Sequence, residues 1–175
     1  MRIALRRWPV LAGLGFAAFL GLGLASGTEL AKVLAASAVV YIGAAALKRP
    51  AAAWPVFFAT FIAIGMPQVL KLGFDPTWSV LGLGVASLVY GLVRRAENLT
   101  PQTIAMLGFG AVAAIALFVN PVVGGFLVAA GLLGHTAWDV YHHWKNKVVA
   151  RSMAEFCMVL DTGLAAAIVY VTVTA

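Results

Sequence analysis

Long apolar runs separated by short polar breaks organise this chain. They cover approximately Trp8 to Ala25, Glu29 to Leu47, Ala51 to Leu70, Thr77 to Val93, Gln102 to Val119, Pro121 to His143 and Ala154 to Thr174. No run alternates apolar with polar residues, so the pattern predicts helices and not barrel strands. Turn and breaker residues mark the gaps: Ser26 to Thr28, Arg49-Pro50, Asp75-Pro76, Thr100-Pro101, Asn120-Pro121 and the polar stretch from Lys145 to Ser152. A bilayer core about 30 Å thick asks for roughly 20 apolar residues per helix. The expected fold is therefore all-α, a polytopic membrane helix bundle of about seven transmembrane helices, with residues 1–175 forming a single integral membrane domain.

Composition agrees with this reading, since 63% of the residues are hydrophobic and only 10% are charged. Mean hydropathy is +0.99, beyond what a water-soluble domain could bury. The net charge of +6 would suggest a nucleic-acid partner in a soluble protein, but here the basic residues cluster between apolar runs, so no nucleic acid is expected. Arg2, Arg6 and Arg7 precede the first run; Lys48 and Arg49 follow the second, Arg94 and Arg95 the fourth, and Lys145, Lys147 and Arg151 the sixth. If every run spans, all ten fall on one side and only Lys32 and Lys71 on the other. The positive-inside bias then puts the N-terminus in the cytoplasm and the C-terminus outside, with a bacterial inner membrane as the expected location. Trp8, Trp54 and Trp144 would lie near the cytoplasmic interface and Trp78 near the outer one. The first run, with its basic start and small-residue Ala25-Ser26-Gly27 end, also has the layout of a secretory signal. Its removal would leave the orientation of the other spans unchanged.

Runs two, four and six end in Val40-Tyr41, Val89-Tyr90 and Val140-Tyr141, each before a basic loop and a returning helix. That spacing suggests one helix followed by three repeated helical hairpins, although interfacial tyrosines and cytoplasmic basic residues could produce it by convergence. Glycines in pairs such as Gly108/Gly110 and Gly124/Gly125 are expected to let helices approach closely, and the same faces offer a surface for homo-oligomers.

The chemistry-bearing residues gather in the last two runs. All three histidines, His135, His142 and His143, lie there with Asp139, Glu155 and Asp161. His135, Asp139 and His142 stand at i, i+4 and i+7, which stacks them on one helix face. By helical rise His135 lies about 12 Å inside the membrane and Asp161, on the returning helix, about 13 Å, so the two share a layer. Glu155 would match His142 and His143 nearer the cytoplasm, but it stands roughly 120° around the helix from Asp161. Ionisable groups at this depth cost on the order of 2.5 to 3.5 kcal/mol and normally find partners. Imidazole and carboxylate are the donor set of zinc or non-haem iron, with His135, Asp139, His142, His143 and Asp161 as candidate ligands. Without metal, the two aspartates would serve as structural hydrogen-bonding partners of His135.

A lone Cys157 excludes an intrachain disulfide and multi-cysteine metal sites. The seventh run lacks the lysine a retinal protein needs, and histidines on one helix cannot clamp a haem between two. Seven helices with a His/Asp cluster near the cytoplasmic face resemble, in architecture alone, the ceramidase and adiponectin-receptor superfamily of membrane metallohydrolases. The leading expectation is a membrane-embedded enzyme acting on a lipid or isoprenoid-like substrate from the bilayer. It would be a metal-dependent hydrolase in which Glu155 moves the proton, or a metal-free acid/base isomerase or cyclase in which Asp139 or Asp161 does so. The alternatives are a proton or divalent-cation transporter, which needs a polar path across the membrane, and a small structural subunit of a membrane complex, which needs neither.

Overall fold

The computed structural model of the protein describes residues 7–174. The described elements are α1 (Trp8–Gly21), α2 (Ala31–Ala46), α3 (Ala53–Val69), α4 (Thr77–Val93), α5 (Leu99–Ala116), α6 (Pro121–Lys145) and α7 (Arg151–Thr174), with no strand among the described residues. Short 3-10 turns, Gly27–Leu30 and Pro50–Ala52, lead into α2 and α3. Counted with these turns, Gly27–Ala46, Pro50–Val69, Leu99–Ala116, Pro121–Lys145 and Arg151–Thr174 are long and apolar enough to cross a membrane. The other two are shorter. α1 has 14 residues against an expected run to Ala25, because the chain leaves the helix at Leu22 and Gly23 takes a left-handed φ of 79°.

The breaker residues work as caps. Ser26 and Glu29 form a capping box before α2, with the Glu29 carboxylate accepting from the Ser26 amide at 3.0 Å. Asn120 Oδ1 accepts from the Val123 amide at 2.9 Å and Pro121 opens α6. Basic residues do at the other helix ends what glycine usually does: Lys48, Lys71 and Arg95 take φ of 55°, 51° and 48°. The amide after each reaches back to a carbonyl of the last turn, as from Ala96 to Gly91 at 2.9 Å.

Helix α2 is the centre of the bundle, with all but two of its 16 residues buried. Its alanines, Gly43 and Ser37 leave room for close neighbours, and α3, α4 and α5 pack against it. α6 and α7 form the most extensive pair, with α1 laid along α7. The repeated-hairpin expectation is not met in the packing, because α4 and α5 each lie against α2 more than against one another. The three tyrosines are not equivalent either: Tyr41 is 1% exposed, whereas Tyr90 and Tyr141 are 45% and 52% exposed.

The loops after α2, α4 and α6 meet at one end of the bundle. The Ala150 amide donates to the Pro50 carbonyl at 3.0 Å, and Lys48, Arg49, Glu97, Asn98 and Val148 share one pocket. Trp8 and Trp54 stack at the same end, 5.2 Å between ring centroids. Arg2 and Arg6 lie outside the described residues, as does Ala175. At the opposite end a Cβ on Gly27 would sit 2.8 Å from the Gly125 Cα, and one on Gly124 would sit 2.6 Å from the Ala116 carbonyl oxygen. Only glycine fits at these two positions without moving backbone.

Candidate functional site

Three helices build one buried polar centre. α6 is helical throughout Gly134 to His143, so His135 and Asp139 project from the same face one turn apart. α7 runs back beside it and brings Asp161 to the same level; all three side chains are fully buried. His135 Nδ1 lies 2.9 Å from Asp161 Oδ2 and 3.3 Å from Asp139 Oδ2. The other carboxylate oxygens are held from α2. The Tyr41 hydroxyl donates to Asp139 Oδ1 at 2.6 Å and the Ser37 hydroxyl to Asp161 Oδ1 at 3.3 Å. Phe109 of α5 closes the remaining side, its ring edge-on to His135 at 5.2 Å between centroids.

Charge makes this arrangement unusual. Even a protonated imidazole beside two carboxylates leaves one negative charge, and a neutral imidazole leaves two, in a place without water contact. Buried charge of that kind is retained only when a further proton or a cation balances it. Geometry allows the cation: a tetrahedral ion with bonds of about 2.0 to 2.2 Å holds its ligand atoms roughly 3.3 to 3.5 Å apart. The 3.3 Å separation matches that spacing, the 2.9 Å separation is that of a hydrogen bond, and one ligand atom from each of the three residues lies within 4.8 Å of the others. His135 Nε2 has no hydrogen-bond partner among the described residues.

The remaining candidates are placed elsewhere. His142 shares the face of His135 but sits about 10 Å farther along α6 by helical rise, too far to hold the same ion. Its Nδ1–H donates to the Trp138 carbonyl at 2.9 Å, and its Nε2 accepts from the Gln102 amide at 3.1 Å. Trp138 Nε1 in turn donates to Gln102 Oε1 at 3.3 Å, so both nitrogens of a neutral His142 are satisfied without metal. The Tyr41 ring lies edge-on between His142 and His135, 4.9 and 5.3 Å from them. His143 is half-buried and outside the group whose ligand atoms converge. Glu155 faces Arg7 instead, in an ion pair of 3.0 Å, as its angular offset from Asp161 requires. Lys32, counted on the outer side, is half-buried and lines a pocket of about 230 Å³ with Ser37 and Cys157.

Sequence reasoning missed Tyr41 and Ser37. A signal existed: Ser37 and Tyr41 are i and i+4 in the otherwise apolar stretch from Val33 to Leu47, which places two hydroxyls on one face. Gln102, the lone amide in the fifth run, was a similar cue. Beside the centre, an apolar groove of about 670 Å³ runs between α5 and α6, with Phe109, Gly131 and Trp138 among its walls. Gly131 and Trp138 flank His135 on α6, so the groove passes at its level, with Phe109 between the two.

No protein-family model matches the sequence, and no curated protein or solved structure matches it.

Proposed function

We propose that this protein is a membrane-embedded enzyme that holds a divalent cation at His135, Asp139 and Asp161 and acts on a lipophilic substrate admitted from the bilayer. One observation carries the reading: both aspartates turn Oδ2 toward His135 Nδ1 while α2 hydroxyls hold both Oδ1 atoms. Hydrogen bonds that orient ligating carboxylates in this way are the usual support of a metal site. Two carboxylates to one imidazole suit zinc, iron(II) or manganese. A cation there supplies Lewis-acid activation of a bound water or carbonyl, as hydrolysis requires. Tyr41 and Ser37 fix the carboxylates, Phe109 separates the centre from the groove, and the apolar walls keep bulk water away. Balanced by protons instead, the same acids could deliver a proton to an alkene in an isomerase or cyclase. Elemental analysis of detergent-purified protein tests the choice. Stoichiometric zinc, iron or manganese, lost in His135→Ala, is the expected result; metal that persists in that variant, or none in the parent, overturns the cation reading.

A proton or divalent-cation transporter is the second reading, favoured by the polar groups Tyr41, His142 and Gln102 that continue from the centre toward the basic end. A cation that exchanges across a sealed proteoliposome would select it.

The basic end is assigned to the cytoplasm, all seven helices to the membrane and the C-terminus to the outside, on the charge asymmetry of the loops. In a Cys157→Ser background, cysteines at Leu72 and Val119 should react with an impermeant maleimide on intact cells, and cysteines at Arg94 and Lys147 only after lysis. These positions are exposed and outside the polar centre. Labelling of position 147 on intact cells would reverse the orientation.

A further inference from the structure

We propose that the groove between α5 and α6 binds an anionic lipid, with its chain along the groove and its phosphate at Asn98 and Lys147. The inference rests on the membrane-enzyme reading for its role and on three adjoining cavities for its chemistry. The groove shares Pro101 and Trp138 with a smaller pocket of about 190 Å³ at the basic end, where Asn98 and Lys147 enter the lining. That pocket shares Asn98 and Val148 with a third, of about 310 Å³, which adds Lys48, Arg49 and one carboxylate, Glu97. Across these three adjoining cavities, linked by shared wall residues, the lining passes from carbon to amide and then to three cations against one anion.

The middle cavity has little polar capacity to spare. Gln102, His142 and Trp138 bond to one another, as described above, and form a rigid wall. The exposed Asn98 and Lys147 are the groups placed to meet a headgroup at the mouth. A phosphate there gains charge-assisted hydrogen bonds and the field of Lys48 and Arg49. A free phosphate would leave the groove unfilled, whereas a lipid fills both ends.

The placement also narrows the chemistry. From Pro101 to Val112 the groove runs about 16 Å by helical rise, long enough for a hydrocarbon chain. His135 lies about 10 Å deeper than His142, so the part of the ligand beside the centre is the chain and not the head. The substrate class is a phosphate-bearing lipid or isoprenoid altered within its chain.

Native mass spectrometry of detergent-purified protein, titrated with dioleoyl phosphatidylglycerol and dioleoyl phosphatidylcholine, tests the site without requiring turnover. The expected preference for phosphatidylglycerol is about fivefold or more, the size of one lysine acting at a membrane surface. Lys147→Glu should erase the preference and Lys147→Ala reduce it, both at an exposed position that leaves the fold intact. Gly108→Phe projects into the groove from a position where an added Cβ meets nothing within 4 Å, and should weaken both lipids. Equal binding of the two lipids, or phosphatidylglycerol binding unchanged in the Lys147 and Gly108 variants, overturns the proposal. Asp161→Asn separates it from the centre: lipid binding is expected to persist when metal is lost. Metal retained in Lys147→Glu with the preference unchanged sinks the lipid site alone, and lipid bound to a parent protein that holds no metal sinks the cation centre alone.

Discussion

On the proposed reading, Asp161→Asn is expected to give a folded protein that holds no metal and has no turnover. Asparagine keeps the shape of the side chain. Its carbonyl can still accept from His135 Nδ1–H, and its amide can donate to the Ser37 hydroxyl in place of the present 3.3 Å bond, in which Ser37 is the donor. The structural hydrogen bonds therefore survive, at a cost of about 1 kcal/mol. What disappears is one of the two negative charges that a cation would balance, so metal content should fall from stoichiometric to background. Glu155→Gln is the contrast. Its ion pair joins a mostly exposed Arg7 to a partly exposed Glu155, and surface pairs of this kind are worth roughly 0 to 1 kcal/mol. Metal and activity intact in Asp161→Asn, or lost equally in Glu155→Gln, would remove Asp161 from the centre.

The most damaging single change to the bundle should be Gly124→Val. A Cβ at Gly124 meets the Ala116 carbonyl oxygen at 2.6 Å and the Thr28 methyl at 2.5 Å, and a backbone oxygen at the end of α5 cannot rotate aside. Relief requires α6 to move off α5 and off the turn before α2, which carries His135 and Asp139 away from Tyr41. Overpacking costs typically 1 to 3 kcal/mol and more where backbone must shift, so about 3 kcal/mol or greater is expected here. Gly82→Ala is the control, because nothing lies within 4 Å of a Cβ there and alanine is the better helix former. In a size-exclusion thermal-stability assay the valine variant should lose its monodisperse peak well below the parent midpoint, and Gly82→Ala should match or exceed the parent. Similar midpoints for the two variants would show that the α5–α6 contact is looser than its geometry implies.

Helix positions were legible because an apolar run and its flanking caps are local properties. Thr77–Val93 ends where its run ends, and Asn120-Pro121 opens α6 as its residue types dictate. The pairing of His135 with Asp161 was legible for a related reason: a short loop fixes two antiparallel helices in depth, so matching distances from that loop become contacts. The extension to His142 failed on the same arithmetic. Sharing a face at i+7 still means two turns of separation, more than the reach of one ion. Tyr41 and Ser37 could not be placed by local reasoning, because their partners Asp139 and Asp161 lie 98 and 124 residues away along the chain. Nothing about a tyrosine near a basic loop separates an interfacial anchor from a buried donor. The difference is made by α6, whose Asp139, His135 and His142 enclose the Tyr41 side chain and leave it 1% exposed.

That enclosure carries a consequence for biogenesis. If the helices insert in chain order, α2 meets lipid before α6 and α7 are made, and Ser37 and Tyr41 then have no carboxylate to bond. α6 then brings a histidine and an aspartate on one face, which can balance one another and give Tyr41 its acceptor. Until Asp161 arrives only the Ser37 hydroxyl lacks its carboxylate, and the arrival of Asp161 brings the second negative charge that a proton or a cation must balance at membrane depth, where each such group is costly. The last helix to be made is therefore the one that turns a balanced pair into a centre in need of a further positive charge.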